Sequence, residues 1–187
     1  MNKKFLRKKY LDIRLNSDVS LLNDKTNFIS QNLLDLLLEE FPFVKNIASY
    51  FPTNNEVNLL NLYTILLKNH YNIALPKIFP NTKLLRFYKF QNIKNMFIGQ
   101  YNIFEPTSNE EIFPEIVIVP SIACDINGIR LGYGGGYYDY TLNQIKKTNG
   151  ITVIAPCFDF QIVQSLPYLA HDQKVDIIVT EKNIIYV

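Results

Sequence analysis

Between Val119 and Asp139 the chain reads V-P-S-I-A-C-D-I-N-G-I-R-L-G-Y-G-G-G-Y-Y-D. Glycines stand at 132, 134, 135 and 136, Arg130 lies just ahead of them and Asp139 just beyond. Glycine admits the backbone geometries that turn successive N–H groups toward one point, which is how a loop grips phosphate oxygens. The N-terminus of a following helix adds a dipole of the right sign. Gly132, Gly134, Gly135 and Gly136 are therefore candidate phosphate-binding residues, and Arg130 supplies a fork of donors. Asp139, one turn into the helix, is suited to hold the magnesium ion that accompanies a nucleotide. The loop is not a Walker sequence, because no Gly-Lys-Ser/Thr follows. It is not the dinucleotide fingerprint either, because Tyr137 takes the third glycine position. Taken alone, the glycines would also serve as a plain tight turn joining strand to helix.

Other residues strengthen the phosphate reading. Lys3 and Arg7 fall one helical turn apart on one face, and Asp172 sits in the segment A-H-D-Q-K-V-D. A basic face beside a phosphate loop would complete charge neutralisation, as positioned cations do in phosphoryl transfer. Glu56, in N-N-E-V after a strand, occupies a position from which an open α/β sheet delivers side chains to a ligand crevice. There is no G-x-S-x-G elbow, no H-E-x-x-H and no Cys-His pair with a suggestive local sequence, which removes hydrolase triads and zinc proteases. With two histidines, His70 and His171, a histidine-rich metal centre is excluded.

These groups need elements to carry them. Residues 3–15 have helical spacing of Phe5, Leu6, Tyr10 and Ile13, and Ser17 or Ser20 would cap a second helix through Leu38. Then the chain alternates: strand Ile47–Phe51, helix 57–69, strand Tyr71–Leu75, strand-like Leu84–Phe90, and a turn-rich connection over 100–114. The β-branched run Ile116–Val119 suits a strand buried on both faces. The glycine loop, a helix from about Tyr137 to Lys147, strand Ile151–Ala155, a short helix Gln161–Leu166, and strands Val175–Val179 and Ile184–Val187 complete the chain. This order implies a three-layer α/β domain, 1–187, whose mainly parallel sheet is covered by helices on both faces.

The bulk numbers agree. Hydrophobic residues at 48% and charged ones at 19% of 187 residues place the chain among folded domains rather than disordered segments. Cys124 and Cys157 lie far apart without a C-x-x-C motif, so neither a disulfide framework nor a cysteine zinc site is signalled, and a cytoplasmic location follows most simply. No apolar run reaches membrane-spanning length. Six of the 19 basic residues lie in the first 14 positions, leaving 13 basic and 16 acidic residues elsewhere. Such a remainder argues against an extended nucleic-acid-binding surface.

At this point the chain resembles the 5-formyltetrahydrofolate cyclo-ligase family, also called methenyltetrahydrofolate synthetases. The likeness runs nearly end to end: K3-x-x-L-R7, N-N-E56-V, A-L-P76-K, Y101-N-I-F-E-P106, the glycine block, and L-P-Y-L-A-H-D172-Q-K-V-D-I-I-V-T-E. The chain departs from the usual pattern at Ser121, Cys124, Tyr140 and A155-P-C-F-D-F-Q161. The resemblance implies that Lys3, Arg7, Arg130, Gly132, Gly134, Gly135, Gly136 and Tyr138 contact ATP, and that Asp139 and Asp172 hold magnesium. It also implies that Phe51, Glu56, Tyr133 and Tyr137 contact the folate. The implied activity is ATP-dependent closure of 5-formyltetrahydrofolate to 5,10-methenyltetrahydrofolate through a phosphorylated formyl group, releasing ADP and phosphate. Expected partners are ATP and a reduced folate, with no nucleic acid and no membrane, and the expected state is a monomer. The rivals are a different small-molecule ATP-dependent phosphotransferase on the same scaffold, and a binding module whose basic helix meets RNA or acidic lipid.

Overall fold

A computed structural model describes residues 2–148 and 150–187, without the side chain of Thr148. The chain opens with helices α1 (Lys3–Leu15) and α2 (Val19–Glu40), followed by strand β1 (Asn46–Ala48), helix α3 (Leu60–Lys68) and strands β2 (Asn72–Lys77) and β3 (Arg86–Lys89). Strands β4 (Met96–Ile98), β5 (Phe104–Pro106), β6 (Ile116–Ile118), β7 (Ala123–Asp125) and β8 (Arg130–Leu131) lead to helix α4 (Tyr137–Thr148). Strands β9 (Thr152–Pro156), β10 (Ile162–Val163), β11 (Ile177–Val179) and β12 (Ile184–Tyr186) finish it.

The main sheet has seven strands in the order β12-β11-β9-β6-β1-β2-β3. Its five central strands are parallel, and the edge strands β12 and β3 run antiparallel to their neighbours. The pleat sorts each strand between two cores: Ile116 and Ile118 face α2 and α3, while Val117 and Val119 face Leu142 of α4. Successive strand residues point to opposite faces, so a continuous apolar run is what a strand covered on both sides requires. This is the mixed three-layer α/β arrangement with a mostly parallel sheet. Cys124 and Cys157 are free and buried.

Several boundaries differ from the sequence expectations, each for a local reason. Asp18, rather than Ser17 or Ser20, caps α2, accepting from the Ser20 and Leu21 amides at 2.7 and 3.2 Å. The Ser17 hydroxyl instead donates back to Ile13 at the end of α1. Strand β1 stops at Ala48, and Tyr50 donates to the Val57 carbonyl at 2.8 Å, turning Phe51 out of the sheet. Helix α3 starts only at Leu60, because Val57 and Leu59 enter the core from irregular chain ahead of it. Within the expected turn-rich stretch, Phe104–Pro106 pairs with Met96–Ile98 as a hairpin whose tip holds Tyr101 and Asn102 at positive φ.

The expected helix Gln161–Leu166 is also replaced. A 3₁₀ turn at Asp159–Gln161 feeds β10, whose Ile162 and Val163 pair in parallel with Cys124 and Asp125. Together β10, β7 and β8 form a second, three-stranded sheet. Helix α1 lies on it, with Leu6 and Tyr10 packed among Ala123, Ile129, Leu131 and Leu166. That apolar contact carries the basic face of α1 to the glycine loop following β8.

Asp125 staples this small sheet. It is 1% exposed, one carboxylate oxygen accepts from the Asn127 and Ile129 amides at 2.9 and 3.0 Å, and the other accepts from Leu166 at 2.8 Å. Asp125→Ala would leave three donors unsatisfied, and we expect a loss of about 3 kcal/mol in urea unfolding. Asp125→Asn should recover part of that loss; an unchanged midpoint in the alanine variant would show that the staple does not hold the sheet.

Candidate active site

The glycine loop needs its glycines for two different reasons. Gly134 and Gly136 have φ of +98° and +76°, in the left-handed region where side chains are strained. Gly134 also makes room for a cation, because a Cβ there would sit 3.3 Å from the Arg7 guanidinium carbon. Arg7 in turn donates from Nε to the Gly132 carbonyl at 2.8 Å, tying α1 to the loop. Lys83, just before β3, brings its ammonium to 3.6 Å from where a Cβ on Gly136 would lie. The loop ends in the first turn of α4, whose amides and dipole favour an anion.

Two ion pairs cross this wall. Arg130, 4% exposed at its side chain, donates to Asp139 at 3.0 Å, and its Nε has no partner among the described residues. Its guanidinium carbon lies 5.6 Å from the Tyr138 ring centroid. Lys3 pairs with Asp172, which also accepts from the Leu169 amide at 2.7 Å. The Gln173 amide donates to Asp139 at 3.1 Å, so the segment that carries Asp172 is fastened to the other carboxylate. Burial pushes the Asp172 carboxyl up, but Lys3 and the Leu169 amide outweigh it and hold the group below the usual carboxylate range.

The opposite wall is aromatic. Phe51 packs on Phe104 with ring centroids 4.9 Å apart, and the Tyr101 and Tyr137 hydroxyls meet at 2.9 Å, linking the β4–β5 hairpin to the glycine loop. Glu56 stands between the two walls, 8% exposed. One of its oxygens accepts from the Thr53 amide at 2.8 Å and hydroxyl at 3.2 Å, while Oε1 is buried with no hydrogen-bond partner among the described residues. Burial raises its pKa, opposed by the positive charge of Arg14. Tyr50, Tyr63, Tyr133 and Tyr138 around it are all pushed up, chiefly by burial, and stay neutral.

One cavity of about 700 Å³ touches every residue singled out from the sequence: Lys3, Arg7, Arg130, the four glycines, Tyr138, Phe51, Glu56, Tyr133, Tyr137, Asp139 and Asp172. The volume and the few convergent polar groups are those of a small-molecule site. Among the described residues there is no group of three or more His, Cys, Asp or Glu that could hold a metal by itself. Asp139 and Asp172, two hard carboxylates beside the glycine loop, could hold a cation that arrives with a nucleotide, since magnesium binds through one or two carboxylates plus phosphates.

Three residues of the site escaped the sequence reading. Arg14 is 1% exposed and donates to the Asn54 and Ser121 carbonyls at 2.9 and 3.0 Å and to the Tyr133 hydroxyl. Its spacing was a usable signal, because positions 3, 7 and 14 share one helical face. Glu105 lines the cavity nearly buried, beneath a Gly99 that has no room for a Cβ beside it, and burial raises its pKa. Tyr101, on the hairpin tip, had no signal beyond its place in a matched motif.

The model of the 5-formyltetrahydrofolate cyclo-ligase family matches residues 1–181. The chain is 32% identical to the 5-formyltetrahydrofolate cyclo-ligase of Haemophilus influenzae, covering 87% of this chain and 88% of that protein. Its structure is similar to that of Aquifex aeolicus 5,10-methenyltetrahydrofolate synthetase, with a TM-score of 0.83, 31% identity, and coverage of 100% of this chain and 93% of the other. The 5,10-methenyltetrahydrofolate synthetase of Mycoplasma pneumoniae gives a TM-score of 0.78 at 25% identity, covering 97% and 99%. No helix among the described residues is long and apolar enough to cross a membrane.

The depressed pKa of Asp172 has a pH signature. A carboxylate held lower in the folded than in the unfolded chain contributes stability above its unfolded pKa, and loses it as pH falls through the folded value. Relative to Asp172→Asn, the wild type should therefore be more stable at neutral pH, with the gap closing below the ordinary carboxylate range. Urea midpoints measured from pH 7 downward test this; a gap independent of pH would show that the Lys3 pair does not act through the charge of Asp172.

Proposed function

This chain belongs to the 5-formyltetrahydrofolate cyclo-ligase family, and on that premise we propose that it closes 5-formyltetrahydrofolate to 5,10-methenyltetrahydrofolate at the expense of ATP. The products are ADP and phosphate. The observation that carries the reading is the meeting, in one cavity, of a cation-and-glycine wall with an aromatic wall at the unpartnered Glu56 Oε1.

The chemical problem is that a formyl oxygen bonded through an amide-like carbon is a poor leaving group. In the proposed course the formyl oxygen attacks the γ-phosphorus of ATP, the bond to the β–γ bridging oxygen breaks, and ADP leaves. The carbon between nitrogen and the new phosphate ester is then electrophilic. The 10-nitrogen of the folate adds to it, loses its proton, and phosphate departs with the former formyl oxygen. Atoms balance: ATP and 5-formyltetrahydrofolate give ADP, phosphate and the methenyl product.

The protein's part is positioning and charge. Lys3, Arg7, Arg130 and the loop amides hold the triphosphate, and Gly132 to Gly136 let it approach the backbone closely. Magnesium, held by Asp139 and Asp172, would add positive charge on the phosphate oxygens. Phe51, Tyr133 and Tyr137 offer the flat faces on which a reduced pterin would rest. Glu56 is suited to accept the proton of the 10-nitrogen, because burial moves its pKa up toward the working range of a general base.

Incubation with ATP, magnesium and 5-formyltetrahydrofolate should generate the near-ultraviolet absorption of the conjugated methenyl product, and omission of ATP should abolish it. A purified, folded protein that gives no such product would overturn the assignment. Asp139→Asn and Asp172→Asn should each slow turnover by about 10²-fold or more, with folding retained. Glu56→Gln should cost about 10²-fold in kcat if it takes the proton; unchanged turnover removes it from that role.

A further inference from the structure

A guanidinium buried to 1% exposure is costly unless something needs it. Arg14 does not line the cavity, and its three hydrogen bonds all go to uncharged oxygens. An apolar side chain in its place would suit the packing of α1 without that cost. What Arg14 does reach is the turn that carries Asn54 and Glu56, the segment after β6 at Ser121, and Tyr133 on the glycine loop. Its guanidinium carbon also lies 5.9 Å from the Tyr133 ring centroid. These are three separate stretches of chain, and the planar fork spans them at once.

The surroundings of Glu56 sharpen the point. Facing it are the Thr53 amide and hydroxyl, the phenols of Tyr50, Tyr63, Tyr133 and Tyr138, and the guanidinium of Arg14. Of these only Arg14 carries a positive charge. The tyrosines are neutral, so although the Tyr133 hydroxyl favours the carboxylate, none of them brings a charge that balances it.

We propose that Arg14 is a positioning residue for the folate half of the cavity, fixing the Glu56 turn and Tyr133 in one arrangement and supplying the charge that faces Glu56. This rests on the folate reading given above. Arg14 touches none of the groups assigned to the triphosphate, so its loss should act on one substrate and not on both.

Lysine and glutamine variants separate the two parts of the role. Lysine keeps the charge but loses the planar fork; glutamine loses the charge as well. In the full-length protein, Arg14→Gln should raise the KM for 5-formyltetrahydrofolate about tenfold or more, while the KM for ATP changes less than about threefold. The acid limb of its pH–rate profile should move to higher pH, because the largest influence opposing the burial of Glu56 is then lost while the Thr53 hydrogen bonds remain. Arg14→Lys should keep the acid limb near that of the wild type and still raise the folate KM. The proposal is overturned if the two KM values rise together, if the folate KM is unchanged in both variants, or if lysine restores the folate KM. Should Arg14→Gln fail to fold, judged by near-ultraviolet circular dichroism, Arg14→Lys alone decides on the same KM criterion. A wild type that makes no methenyl product is a different failure, that of the activity assignment itself.

Discussion

Like charges gathered at one loop set the terms for everything around them. Lys3, Arg7 and Arg130 converge on the glycine segment, and without an anion they would repel one another and the positive end of α4. The fold meets this in two ways. Asp172 and Asp139 neutralise Lys3 and Arg130 directly, and the Gly132 carbonyl takes the Arg7 Nε–H. The cations themselves are fixed by contacts elsewhere: the apolar packing of Leu6 and Tyr10 on the small sheet holds α1, and backbone pairing of β7 with β8 holds Arg130. A triphosphate would enter a site already assembled, and little reorganisation would be required of the protein as charge shifts.

The main sheet decides where that loop can be. In a parallel sheet the chain leaves successive strands at the same edge, so the segments after β1 and β6 open onto one crevice. Phe51 and Glu56 follow β1, and Pro120 follows β6 on the way to the small sheet. Because β1 ends at Ala48 and Tyr50 fastens to Val57, the chain folds back over the crevice instead of extending the sheet. Shortening of that strand and exposure of the aromatic wall are therefore one event.

Much of this was legible in the residues. The glycine cluster, the β-branched run at Ile116 and the helical spacing of the N-terminus each report a local rule, and local rules survive folding. What was not legible depends on partners distant in sequence. Ile162 and Val163 pair as a strand only because Cys124 and Asp125 lie beside them, and Gln161 is turned inward by the Ile122 carbonyl at 2.7 Å. The hairpin at Phe104–Pro106 hides among turn residues because three-residue strands carry almost no periodicity. For Arg14 the helical spacing places it on the face of Lys3 and Arg7, but its burial depends on Asn54, Ser121 and Tyr133, all distant in sequence.

The two walls of the cavity differ in how each treats charge, and the proposed reaction uses the difference. The glycine wall is polar, dense in donors and balanced by carboxylates, which suits the spread charge of a triphosphate. The aromatic wall excludes water and raises the pKa of any acid set in it, which is why Glu56 sits above an ordinary carboxyl while Asp172, with a cation in contact, sits below. In the proposed reaction a proton leaving a folate nitrogen needs a base placed as Glu56 is, in the aromatic wall, and a phosphoryl group in transit needs the glycine wall. Tyr133 belongs to both walls, since it stands within the glycine loop and its hydroxyl is held by Arg14. Bond formation between nucleotide and folate would take place along that seam, where the charged and the desolvated halves of the site meet.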